Sequence, residues 1–147
     1  MSFRTTLPAR FQDVDAAGVL FFGRIFDYAH MAYEELIATS GFDRVRYFSR
    51  GDFLVPIAHA EADYKKPILH GERVSITIDV TRVGRASVTL RYTVTGPEGD
   101  KDLRASVLTV HAFVERATMK PISIPEPLRG FFLGHLREEP VPEGAPK

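Results

Sequence analysis

Two hydrophobic periods divide the chain. Between Gly23 and Gly41, Ile25, Ala29, Ala32, Leu36 and Ser40 fall on one stripe, and Phe26, Tyr33 and Ile37 widen it. This spacing predicts an amphipathic helix, with Gly41 as its stop. Ala29, Met31, Ala32 and Tyr33 carry apolar character around much of the circumference, so the helix is expected to be wrapped by a concave partner rather than half exposed.

Elsewhere the period is two. Thr5 to Gln12 suits a first strand, with Pro8 marking an edge position or a bulge. From Leu54 to Lys65, Leu54, Pro56, Ala58, Ala60, Ala62 and Tyr64 share one face, opposite Val55, Ile57, His59, Glu61 and Asp63. The alanines leave room on that face for something bulky. After a turn at Pro67 to Gly71, Val74 to Val80 and Val88 to Val94 alternate as two half-exposed strands joined through Gly84. Leu103 to Arg116 is apolar on both faces, as in a central strand without a solvent face. Phe42 to Phe53 reads as a loop or short irregular helix, and Leu128 to Leu136 as a short helix. Five strands and one long helix make an α+β arrangement, with strands two to five expected as antiparallel neighbours. The two sheet edges invite pairing with a second copy, so at least a homodimer is expected.

At 147 residues the chain fits one domain, placed at residues 1–136, with a disordered tail at 137–147 that contains PVPEGAPK. There is no apolar run approaching the ~20 residues of a membrane span, and SFRTTLPAR lacks the apolar core of a secretory signal. A cytoplasmic location away from membranes is therefore expected. Zero Cys excludes disulfides, thiolate metal sites and a cysteine nucleophile. Nineteen basic residues balance nineteen acidic ones, so nothing suggests the field that non-specific nucleic-acid binding requires. Partners should be small molecules or protein chains.

Candidate chemistry gathers in Arg10 to Gly41. An EF-hand loop starting at Asp13 would put Ala17 at its fifth position and Arg24 at its twelfth, where a bidentate carboxylate is required. A phosphatase-type DxD should close an apolar parallel strand and open a βα series, and no such series follows. An open divalent site recruiting His30 or Glu34 is the third metal reading; no metal is expected. Asp13 reads as a hydrogen-bonded turn residue. Asp15 precedes Ala16, Ala17 and Gly18, which admit a ligand to the backbone, and Val19 to Phe22, which would exclude water. It is the candidate base or nucleophile. The helix starting near Gly23 has no Ser, Thr, Asn or Asp at its N-cap, leaving amide donors available to an oxyanion. A carboxylate beside an oxyanion site is what hydrolysis of an acyl compound requires.

Of five histidines, His111 is expected as a satisfied core residue, His70 and His135 as solvent-facing, and His30 and His59 as candidates for the site. No GxSxG, P-loop or GxGxxG motif occurs.

DVDAAGVLFFGRIFDYAHMAYEELI, PIAHAEADYKKPILHGERVSI, VGRAS and MKPISIP resemble the hotdog-fold acyl-CoA thioesterases of the 4-hydroxybenzoyl-CoA thioesterase type, over about Phe3 to Leu128. Within that family the likeness is greatest to 1,4-dihydroxy-2-naphthoyl-CoA hydrolases. The resemblance implies a five-stranded antiparallel sheet curled around the long helix, dimers often paired into tetramers, and sites at the dimer interface. It puts the family's reactive aspartate at Asp15 and its carbonyl-polarising amide at about Phe22, beside Gly23. His59 falls near the neighbouring subunit's pocket. Arg85 and Ser87 of VGRAS, with Lys120, become candidates for binding coenzyme A, which is part of the substrate; no cofactor is implied. Gly84 and Ala86 depart from the more basic turn of the 4-hydroxybenzoyl enzyme; Arg44, Arg46 and Arg50 read either as a compensation for this or as a solvated loop. The expected function is hydrolysis of an aromatic or bulky acyl-CoA; the alternative is a non-catalytic module binding acyl-CoA or acyl carrier protein. A hotdog dehydratase lacks its histidine-containing helix-start pattern.

Overall fold

A computed structural model describes residues 2–137. Its main sheet contains β1 (Phe3–Pro8), β3 (Ile57–Tyr64), β4 (Arg73–Val83), β5 (Ser87–Thr95) and β6 (Leu103–Ala112) in the order β1-β4-β5-β6-β3, every pair antiparallel. Helix α1 (Arg24–Ala38) lies against the inner face. Two short strands, β2 (Phe53–Leu54) and β7 (Val114–Glu115), pair separately, and α2 (Leu128–Gly134) closes one end. This is the five-stranded hotdog arrangement.

Alternation builds the core directly. Val74, Ile76, Ile78 and Val80 of β4, Val88, Leu90, Tyr92 and Val94 of β5, and Ala105 and Val107 of β6 all point inward and are buried. They meet Ile25, Tyr28, Ala29, Ala32, Tyr33, Leu36 and Ile37 of α1. Burying an apolar side chain of this size contributes about 1.5–3 kcal/mol, so this seam holds the helix in the sheet.

Several expectations need correction. The first strand ends at Pro8, and Phe11–Asp13 forms a 3-10 turn. The sheet curls around the helix but leaves one face of it open, so the helix is half exposed in the single chain: Asp27, His30, Met31, Glu34 and Glu35 are exposed. Met31, its apolar surplus on that face, is 41% exposed. Beyond Ala38, Thr39 and Ser40 bond back to the carbonyls of Leu36 and Ile37 before Gly41 turns with φ 77°.

Consecutive β3 and β4 are not neighbours, because β1 occupies the far edge of β4 and β3 pairs with β6. The central strand is β5. On β6, Ala105, Val107, Thr109 and His111 are buried, while Ser106, Leu108, Val110 and Ala112 on the other face are half-buried; the strand breaks at Phe113 before β7. A bulge between Ile57 and His59 changes the parity of β3. Ile57 lies opposite buried His111, and His59 opposite outward Val110, so these two residues occupy different faces rather than one. The expected loop at 42–53 contains a π-helical turn, Arg46–Arg50.

Among the described residues no helix is long and apolar enough to cross a membrane. Of the expected tail at 137–147, only Arg137 is described, its N–H donating to the carbonyl of Val80 (2.7 Å); residues 138–147 lie outside the described residues.

Candidate active site

Asp13 and Asp15 occupy different environments. Asp13 is buried; its Oδ2 accepts from the Tyr28 hydroxyl (2.7 Å), and its backbone carbonyl accepts from the Phe21 N–H (2.8 Å). It ties the acidic turn to α1. Asp15 is exposed in the single chain. Its Oδ1 accepts from the amides of Ala17 (2.9 Å) and Val19 (3.3 Å), while its own N–H and C=O close the turn with Val19 and Gly18. Gly18, at φ 77°, supplies the left-handed step that this turn needs. Oδ2 has no hydrogen-bond partner among the described residues. The segment is anchored by Leu20 N–H to Ile68 O (2.7 Å) and His70 N–H to Gly18 O (3.0 Å).

At the start of α1, Gly23 supplies no side-chain cap. Arg24, Ile25 and Phe26 N–H groups donate back to the carbonyls of Phe21, Phe22 and Gly23. The available donors therefore narrow to the amides of Phe22 and Gly23, neither of which has an acceptor among the described residues.

Asp15 and Phe22 line one cavity of about 440 Å³. Val19, Leu20, Phe21, Ile25 and Ile68 make its wall apolar, and Tyr64, Lys65, Lys66 and Arg104 bring polar groups to it. Arg104 is buried and fully engaged, donating to both carboxylate oxygens of Glu72 (2.8 and 2.9 Å), to both of Asp102 (2.8 and 3.0 Å) and to the Pro67 carbonyl (2.8 Å). Hydrogen bonding from Arg104 holds both carboxyl groups below their ordinary range. This network braces the cavity floor.

The other candidates lie elsewhere. Arg85 and Ser87 flank the β4–β5 turn, where Arg85 Nη1 donates to Ser123 Oγ (3.2 Å). Lys120 lies beyond β7, its carbonyl accepting from the Glu115 N–H (2.9 Å). Ser87 pairs with Ala112 and Tyr64 with Ala105, so seven residues of β6 separate the turn from the cavity, roughly 23 Å at ~3.3 Å per residue. His59 is exposed on the outer face, with Nε2 3.6 Å from Glu61 Oε1. Arg46 stacks on Phe42 and Phe53 and pairs with Asp52 (3.4 Å).

His30 is exposed on α1 and meets Tyr33 and Phe48 edge-on. His111 is buried as expected but only half satisfied. One ring nitrogen, Nε2, is 2.7 Å from Thr109 Oγ1, while Nδ1 has no partner among the described residues. Desolvation, followed by the charge of His30, pushes its pKa down to about 3. His70 is exposed, but His135 is buried rather than solvent-facing because its ring packs on Phe131. No group of three or more His, Cys, Asp or Glu among the described residues is placed to hold a metal ion.

Sequence reasoning did not single out Tyr64, Lys65, Lys66 or Arg104 for the site. Tyr64 closes the alanine-lined face of β3, which was the available signal. Arg104 gave none, because apart from its neighbour Asp102 its partners, Glu72 and Pro67, lie more than thirty positions away.

The family model described as the thioesterase-like superfamily matches residues 9–132. The 1,4-dihydroxy-2-naphthoyl-CoA hydrolase of Thermosynechococcus vestitus is 35% identical over 118 residues, covering 80% of each chain. That of Synechococcus elongatus is 36% identical over 121 residues, covering 82% of this chain and 87% of the relative. A solved 1,4-dihydroxy-2-naphthoyl-CoA thioesterase from Synechocystis superposes with a TM-score of 0.84 at 24% identity, covering 90% of this chain and 96% of that one. With the matched sequence spanning most of its length and the five-stranded sheet closed around α1, the chain belongs to the thioesterase-like superfamily and is a hotdog-fold thioester hydrolase.

Proposed function

We propose that this protein hydrolyses an aromatic acyl-CoA thioester of the hydroxybenzoyl or dihydroxynaphthoyl class, with Asp15 as the reacting carboxylate. The observation that carries this reading is the cavity shared by Asp15 and the uncapped helix start, where the Phe22 and Gly23 amides lack acceptors among the described residues. The thioester carbonyl oxygen would sit at those amides, which stabilise negative charge developing during attack. Asp15 then acts in one of two ways. It attacks the carbonyl carbon, expelling the CoA thiolate and forming a mixed anhydride that water cleaves, or it takes a proton from an attacking water. Phe21, Phe22, Ile25 and Ile68 favour a flat apolar acyl group.

The complete site is proposed to need a homodimer, or two dimers paired as a tetramer. Support comes from β3, an edge strand exposed along nearly its whole length, including Ile57 and Tyr64. A second copy would bring His59 to the neighbouring pocket and would let the remote Arg85, Ser87 and Lys120 meet the coenzyme A portion. The reading carries a cytoplasmic enzyme in which residues 1–136 act as one domain without a metal or redox cofactor.

Thiol release from a panel of aromatic and aliphatic acyl-CoAs tests it. Turnover highest with aromatic members is expected. Saturable binding without thiol release from any member would instead establish a binding module.

A further inference from the structure

We propose that Tyr64 is a positioning residue for the oxyanion site, an inference that rests on the thioesterase reading above. Tyr64 is the last residue of β3, opposite Ala105, and lines the cavity containing Asp15. Its hydroxyl donates to the carbonyl oxygen of Phe22, forty-two positions earlier. Among the described residues that oxygen otherwise receives only the long bond from Ile25 N–H, at 3.4 Å.

The Phe22 carbonyl and the Gly23 N–H are two ends of one planar trans peptide and point in opposite directions. Fixing the oxygen therefore aims the N–H. Donation to a carbonyl also polarises its peptide, strengthening the N–H by about 10–30%. Gly23 carries no side chain to orient this peptide, and its amide has no acceptor among the described residues to hold it. The hydroxyl of Tyr64 is thus the side-chain group that locks the helix start in register with the floor of β3. Because β3 is the exposed edge, the same contact couples the strand to the donor.

Tyr64→Phe removes the hydroxyl and keeps the ring on the cavity wall. The expected result is a fivefold to tenfold fall in kcat, about the effect of one ordinary hydrogen bond, with KM within about twofold because the apolar wall is retained. A second readout is independent of turnover. The chain contains 11 glycines, so selective [15N]glycine labelling yields a short set of amide signals, with Gly23 identified by its loss in Gly23→Ala. Tyr64→Phe should shift the Gly23 amide proton upfield. Wild-type kcat in Tyr64→Phe, or an unmoved Gly23 signal, overturns the proposal. So does a loss confined to Tyr64→Leu, which would trace the effect to ring packing. If the wild-type protein releases thiol from no acyl-CoA, the thioesterase reading fails separately, and the Gly23 shift alone decides whether Tyr64 sets this peptide.

Discussion

Asp15→Asn separates the chemistry of this carboxylate from its place in the turn. Asp15 Oδ1 accepts the amides of Ala17 and Val19, and Oδ2 has no partner among the described residues. An asparagine oxygen can keep both contacts. Bonds to a charged acceptor contribute about 1.5–3 kcal/mol and neutral ones about 0.5–1.5, with exposed groups near the lower ends, so the exchange should cost on the order of 1 kcal/mol. For a domain of this size that is a fall of about 4 °C in Tm. The amide can neither attack a thioester nor take a proton from water, so kcat should fall by about 10² to 10⁴, or about 2.7–5.4 kcal/mol of barrier, with KM little changed. Asp15→Ala should lose the same turnover and a further degree of stability, because both turn amides lose their acceptor. The assay is steady-state thiol release on the preferred acyl-CoA, with circular-dichroism melts and light scattering to check fold and assembly. An Asp15→Asn protein within threefold of wild type would refute the assignment.

Tyr33 and Tyr47 share a hydroxyl–hydroxyl hydrogen bond inside the core. Tyr33→Phe alone should cost about 1–3 kcal/mol by orphaning the Tyr47 hydroxyl, and adding Tyr47→Phe should recover part of that loss; urea unfolding of the three proteins checks this, and additive losses would contradict it. The Arg104 network sets an acid limit. Hydrogen bonds from Arg104 lower the folded-state pKa values of Asp102 and Glu72, so their contribution is present above the ordinary carboxylate range and is lost as pH falls through the folded values. Tm should be nearly level from neutrality to about pH 5 and decline below about pH 4. Glu72→Gln should make that decline shallower, and an unchanged slope would assign the acid sensitivity elsewhere.

Local pattern made much of the molecule legible. The inward sets of β4 and β5 needed only period two, and α1 needed only the spacing from Ile25 to Ile37. The acid at Asp15 and the absence of an N-cap residue before Arg24 were also local facts. Pairing was less visible: β3 skips its sequence neighbour to join β6, and the bulge after Ile57 reverses a face assignment made from strict alternation. Neither depends on residues adjacent in the chain. Arg104 looked like an ordinary charge in a strand beside Asp102, because Glu72 and Pro67 reach it only after the β3–β4 connection folds back.

By itself, the sequence determined which segments are helix and strand, because side-chain periodicity is set by the backbone geometry of each element. It also determined the chemistry available near Gly23, since residue types fix what can accept, donate or react. Tertiary structure decided which groups meet. It put Tyr64 against the peptide joining Phe22 and Gly23, and left Arg85, Ser87 and Lys120 at the far end of the sheet. Those relations arise from long-range strand order and register, which no local spacing encodes.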